Sequence, residues 1–147
     1  MERLKKILSN MDTALVAFSG GVDSTLLLKA ATMYVKKRVV AVTFFGEIFS
    51  SRDVSSALEL AKHIGVERHI FLEAGVMDDE RFRSNPIDRC YYCKRILYKK
   101  LKEIAEEERL SFILDGTNSD DKYDYRPGMK AAEEFSIVSP LLEAGLG

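Results

Sequence analysis

Ala14-Leu15-Val16-Ala17-Phe18-Ser19-Gly20-Gly21-Val22-Asp23-Ser24-Thr25-Leu26-Leu27-Leu28-Lys29 reads as a buried strand, a tight loop of small residues, and a helix with almost no polar face. Gly20 and Gly21 take positive φ at little cost and let a ligand approach the backbone closely. Ser19, Ser24 and Thr25 supply hydroxyls, and loop amides at a helix N-terminus favour an anion. The loop is suited to phosphates. Asp23 is the odd member, because two unit charges about 4 Å apart repel by roughly 4 kcal/mol at an effective dielectric near 20. A divalent cation between them reverses the sign, and Mg²⁺ normally sits between one or two carboxylates and phosphate oxygens. The plainer reading of Asp23 or Ser24 is a helix cap. A complete Ser-Gly-Gly-x-Asp-Ser directly after an apolar strand favours the phosphate reading.

The loop lacks the G-x-x-x-x-G-K-[ST] spacing of a Walker A motif and the G-x-G-x-x-G of a dinucleotide fingerprint. Ser19 to Ser24 resembles instead the pyrophosphate loop of the ATP pyrophosphatase superfamily. Those enzymes cleave ATP between the α and β phosphates with Mg²⁺, pass AMP to an acid or amide oxygen, and release pyrophosphate. The superfamily includes NAD, GMP and asparagine synthetases and several RNA thiolation enzymes, so the loop implies activation chemistry and leaves the substrate open.

Outward from the loop, Leu4, Ile7, Leu8 and Met11 recur at helical spacing and predict a short amphipathic helix over 2–9. Residues 13–19 form the first strand, and a helix from Ser24 to Lys36 follows. Lys36, Lys37 and Arg38 read as its cationic close. Val39 to Phe45 is a second buried strand, whose end at Thr43, Phe44, Phe45 and Gly46 is suited to an adenine ring. A helix over Ser51 to Gly65 and a strand over Arg68 to Leu72 come next. His63 and His69 read as structural. Met77 to Pro86 is polar and irregular, as a flap would be. A long helix from Asp88 to Glu108 precedes a strand over Leu110 to Leu114, a short helix, and a fifth strand over Ser136 to Leu142. The alternation predicts an α/β fold of residues 1–147, a five-stranded parallel sheet with helices on both faces.

The totals are those of a globular domain: 147 residues, 46% hydrophobic, 31% charged, formal net charge −1. That balance offers no global field for nucleic acid, and no run is long enough to span a membrane. Only Cys90 and Cys93 are present, which excludes a disulfide framework and points to a cytoplasmic setting.

In such a sheet ligands bind beyond the carboxyl ends of the strands, where strand order switches. That rule gathers Ala17, Phe18, Ser19, Gly20, Gly21, Val22, Asp23 and Ser24 with Thr43 and Phe44, and with Asp115, Gly116 and Thr117. Asp115-Gly116-Thr117-Asn118 is also an ordinary turn composition. Arg126 is either a clamp for phosphate or carboxylate or a surface ion pair. Cys90 and Cys93 form half a zinc-site spacing without a second half. They read as buried thiols on the stripe of Leu97, Leu101 and Ile104, or as thiols activated in a first helical turn. The long helix carries Arg89, Lys94, Arg95, Lys99, Lys100 and Lys102 early and Glu103, Glu106, Glu107 and Glu108 late, the reverse of the dipole preference. Its basic end either is solvated or faces an anion.

A closer resemblance joins these stretches. Phe18 to Leu28, Asn85-Pro86-Ile87-Asp88-Arg89-Cys90-Tyr91-Tyr92-Cys93-Lys94, Asp115 to Asn118, Asp120-Asp121, Asp124-Tyr125-Arg126-Pro127-Gly128 and Ser139 to Gly145 are similar to successive motifs of the LarE-type ATP-dependent sacrificial sulfur transferases. The resemblance implies an adenine nucleotide alpha-hydrolase-like, Rossmann-like fold. It also implies ATP and Mg²⁺ as cofactors, with Asp23 at the metal and Asp23, Ser24 and Arg126 in catalysis. Such enzymes adenylate a pyridinium carboxylate mononucleotide before a cysteine delivers sulfur. That cysteine and several substrate-binding arginines lie in a further C-terminal part of the family, and this chain stops at Gly147. The expectation is therefore a fragment, or half an enzyme completed by a second subunit or another copy. An apolar edge exposed at Ile137, Val138, Leu141, Leu142 and Leu146 would favour self-association. Two alternatives stay open: an RNA thiolation enzyme gripping RNA through Lys94, Arg95, Lys99 and Lys100, which the charge balance disfavours, and a non-catalytic subunit binding ATP or AMP.

Overall fold

The computed structural model describes residues 2–46, 49–75, 80, 84, 89–117 and 127–146, with backbone alone for 89–91 and 127–130. Its elements are α1 (Glu2–Ser9), β1 (Thr13–Ala17), α2 (Val22–Tyr34), β2 (Arg38–Phe45), α3 (Ser51–Ile64), β3 (Arg68–Glu73), α4 (Arg89–Glu108), β4 (Phe112–Leu114), α5 (Pro127–Glu134) and α6 (Pro140–Glu143). The strands form a parallel sheet in the order β3-β2-β1-β4. From β1 the chain steps outward to β2 and β3, then crosses back to place β4 on the far side of β1.

Side-chain alternation divides two apolar layers. Ala14, Val16, Val39, Ala41 and Leu114 face a core that includes Leu4, Leu8, Leu27, Ala57 and Leu141 of α1, α2, α3 and α6. Leu15, Val40, Val42 and Ile113 face Tyr98, Leu101 and Ala105 of α4 and Ala131 of α5. Residues on both faces of β1 and β2 are buried, which is why these strands read as unbroken apolar runs. In α3, Ser50 Oγ accepts the Asp53 N–H at 3.0 Å, and Gly65 at φ 80° ends the helix.

The fifth strand does not form, and among the described residues the sheet has four strands. Ser136 turns at φ 56°, Val138 makes one isolated parallel bridge to Leu114, and Pro140 begins α6. Val138 still closes the β4 edge, donating to Ile113 O at 2.8 Å and accepting from Asp115 N at 3.0 Å. The segment also exposes less apolar surface than its sequence suggests, because Leu141 is buried and Val138 and Leu146 pack on the first core. Lys36, Lys37 and Arg38 do not close α2, which ends at Tyr34. Their amides bond to Met11 O and Asp12 O, tying the start of β2 to the start of β1. The flap of residues 77–86 falls largely outside the described residues.

The last acidic residue of α4 has its partners at the amino ends of the strands. Glu108 Oε1 accepts from Arg38 Nη2 at 2.8 Å and from Arg68 Nε at 2.9 Å. Nearer its start, Lys100 Nζ donates to Glu73 O at 2.9 Å and Ala74 O at 2.6 Å, closing the carboxyl end of β3.

Candidate functional site

At the carboxyl ends of β1, β2 and β4 the chain encloses a cavity of about 420 Å³, within the usual size of small-molecule sites, about 300–1,000 Å³. Ala17, Phe18, Ser19, Gly21, Val22, Asp23, Ser24, Thr43, Phe44, Asp115, Gly116 and Thr117 all line it. Residues separated by ninety positions in sequence thus meet beside β1, where strand order switches.

The loop is held from within. Ser19 N–H donates to Ser24 Oγ at 3.3 Å, the two hydroxyls stand 3.1 Å apart, and Ser24 Oγ donates to Gly21 O at 3.3 Å. Gly21 is the N-cap of α2, so neither Asp23 nor Ser24 occupies the N-cap position. The first turn-to-helix bond is Thr25 N–H to Gly21 O at 2.9 Å. The preceding amides have no intrahelical acceptor by the geometry of any α-helix, and the dipole favours an anion there.

Two glycines answer to close approach. Gly20 does not line the cavity. It lies behind the loop at φ 85°, where an added Cβ would come within 3.2 Å of Ala57 Cα. At Gly116 an added Cβ would stand 3.0 Å from Ser24 N and 3.2 Å from Ser24 Cα. The turn after β4 is therefore pressed onto the start of α2, and any side chain there would require that helix start to give by a few tenths of an ångström.

Asp115 is buried, and its carboxylate is engaged by the protein. Oδ2 accepts from Tyr98 OH at 3.1 Å, and Oδ1 accepts from Ser139 Oγ at 2.7 Å and Thr117 N–H at 3.2 Å. Burial, then the charge and hydrogen bond of Asp115, push the Tyr98 phenol well above its ordinary range. Thr43 also has an internal role: its hydroxyl donates to Phe18 O at 2.7 Å and lies 2.6 Å from His69 Nε2. Its contribution to the cavity is apolar and backbone surface. Arg126 and Asn118 lie outside the described residues, as does the Cys90 side chain. Cys93 is half-buried against Leu97 and Ala74, near Phe44 and Phe49.

The sequence reading did not assign Phe49, Asp53, Val54, Leu97, Tyr98 or Leu101 to the site and placed Lys94 only at a basic helix end either solvated or facing an anion; all line the cavity. One signal was available. Tyr98 shares a helical stripe with Leu101 and Ala105, and a buried tyrosine hydroxyl needs a partner. Lys94 Nζ lies 5.8 Å above the Tyr98 ring, presenting a cation at the cavity wall. For a metal, the donor set is the kind Mg²⁺ uses beside phosphate: the carboxylate-bearing Asp23 and Asp53 with nearby hydroxyls.

Comparison with known proteins agrees with this geometry. The family of the queuosine biosynthesis protein QueC matches residues 13–83, from β1 through β3 and beyond. An uncharacterized protein of Synechocystis sp. is 36% identical over 143 residues, covering 97% of this chain and 53% of its own length. The pyridinium-3,5-bisthiocarboxylic acid mononucleotide synthase of Lactiplantibacillus plantarum is 36% identical over 141 residues, covering 93% and 50%. The chain thus spans about half the length of these relatives. Among solved structures, the NH3-dependent NAD synthetase of Campylobacter jejuni superposes with a TM-score of 0.67 at 14% identity, covering 97% of this chain and 74% of that one, a likeness of fold. Among the described residues no helix is long and apolar enough to cross a membrane. With the Ser19–Ser24 loop, the parallel sheet and these relatives in agreement, the chain is similar to the PP-loop ATP pyrophosphatases.

Proposed function

We propose that this chain is the ATP-binding, adenylating part of a sulfur-transfer enzyme, cleaving ATP to AMP and pyrophosphate and activating a carboxylate of a nucleotide-like substrate. The observation that carries the reading is the closure of the Ser19–Ser24 loop and the Gly116 turn around the N-terminus of α2, at the mouth of the cavity. In this reading the first amides of α2 and the loop hydroxyls hold the β and γ phosphates, and the ends of β1 and β2 at Phe18, Thr43 and Phe44 flank the adenine. Asp23 and Asp53 would hold Mg²⁺, which supplies neutralisation of phosphate charge. Ser19 and Ser24, already bonded to each other, need little reorganisation to meet the phosphates. The chain contributes positioning and fixed dipoles, and the adenylation step requires no protein nucleophile. The similarity to the pyridinium mononucleotide synthase supports a nucleotide carboxylate as acceptor. Use of Lys100 on the carbonyls of β3 removes one of the contacts an RNA-binding reading would need.

The test is incubation with Mg²⁺-ATP and a panel of nucleotide carboxylates, reading which phosphate bond breaks. AMP with pyrophosphate is expected, stimulated by one acid of the panel; ADP with phosphate overturns the reading. Gly21 lies at φ −72°, a backbone any residue adopts, and an added Cβ meets only Ser19 Oγ at 3.6 Å. Gly21→Val should therefore fold, obstruct the cradle, and cut pyrophosphate release by about 10²-fold or more, the size of losing a fixed donor to developing charge.

A further inference from the structure

We infer that Tyr98 is the positioning residue that locks the Asp115–Gly116–Thr117 turn onto the N-terminus of α2; what the resulting cradle holds rests on the nucleotide reading above. Asp115 is pinned from three directions: by Tyr98 of α4, by Ser139 ahead of α6, and by the Thr117 amide of its own turn. With its oxygens engaged in this way, it acts as an anchor for the turn. The next residue, Gly116, is closely packed, since even a methyl group there would stand 3.0 Å from Ser24 N. Ser24 in turn bonds to Ser19 and Gly21. A displacement of Asp115 therefore reaches the loop through one close contact. Tyr98 is the member of this chain that comes from α4, the helix that also brings Lys94 to the cavity. Its ring, 4% exposed, packs in the second core with Leu101 and Ala105, and its hydroxyl carries the connection. Ring and hydroxyl have separable roles.

Tyr98→Phe separates them, keeping the ring and removing the bond. The first readout needs no ligand: amide hydrogen exchange at Thr117, whose N–H depends on a fixed Asp115. Losing one hydrogen bond to a buried carboxylate should speed that exchange by about tenfold, while Val16 in β1 stays protected as in the wild type. The second readout is Mg²⁺-ATP affinity by calorimetry, expected to fall by about tenfold, with little further loss when Tyr98→Phe is added to Asp115→Asn. Unchanged exchange at Thr117 overturns the inference, as does full additivity of the two substitutions. A wild-type chain that binds no Mg²⁺-ATP refutes the nucleotide reading, and the exchange experiment still decides the role of Tyr98.

Discussion

His69 shows how a single side chain at the sheet edge reaches the residue that precedes the Ser19–Ser24 loop. Thr43 gives its hydroxyl proton to Phe18 O at 2.7 Å, so His69 must donate from Nε2 at 2.6 Å, which leaves the bare nitrogen at Nδ1. Nδ1 is buried without a partner among the described residues, and the ring lies between Phe18 and Phe71. Burial holds the imidazole below its ordinary range. The unfolded chain therefore binds the proton more readily, and stability is complete above the unfolded value near 6.5. It declines as pH falls from there toward the lowered folded value, by no more than about 1.4 kcal/mol per pH unit for one proton. Urea midpoints measured across this window should fall in the wild type and flatten in His69→Gln; equal slopes would remove His69 from the account. The sequence identified His69 as structural, but its partners come from β1 and β2, which no local pattern reveals. The loop residues were legible for the opposite reason: Ser19 to Ser24 are contiguous, and their chemistry is local.

At the scale of elements, α4 is fastened along β3. Glu108 meets Arg38 and Arg68 where the strands begin, and Lys100 meets Glu73 O and Ala74 O where β3 ends. Of the acidic tail that violates the dipole preference of an isolated helix, Glu108 is accounted for by these arginines. Partly exposed ion pairs are worth about 1 kcal/mol at most, and a shared carboxylate holds two. Glu108→Gln should thus lower Tm by about 3 °C for a domain of this size without changing nucleotide affinity; a shift of similar size in affinity would mean that α4 transmits strain to the cavity. The first three strands and their helices were legible because each is a contiguous apolar run or an apolar stripe at helical spacing. The fifth strand was misread because Ile137, Val138, Leu141 and Leu142 are apolar enough for a strand. The backbone decides otherwise: Ser136 at positive φ precedes the segment, and Pro140, which has no amide to donate, ends it.

For the molecule as a whole, the cavity collects groups from β1, α2, β2, α3, α4 and the turn after β4, so a ligand bound there ties together both layers around the sheet. Mg²⁺-ATP at a hundredfold its Kd should stabilise the fold by about 2.7 kcal/mol, which is roughly 8 °C in Tm. ATP without effect on Tm at millimolar concentration would count against the nucleotide site. Strand order also matters while the chain is being made. β1 gains its first neighbour once Phe45 has emerged, but its other edge has no strand to pair with until Leu114 follows. At synthesis rates of about 5–20 residues per second, that wait lasts on the order of ten seconds. Through it the nascent polypeptide carries a half-built sheet, with the apolar Ala14-Leu15-Val16 edge open to any other strand nearby. Its greatest liability to aggregate therefore falls on the ribosome, before the finished protein exists.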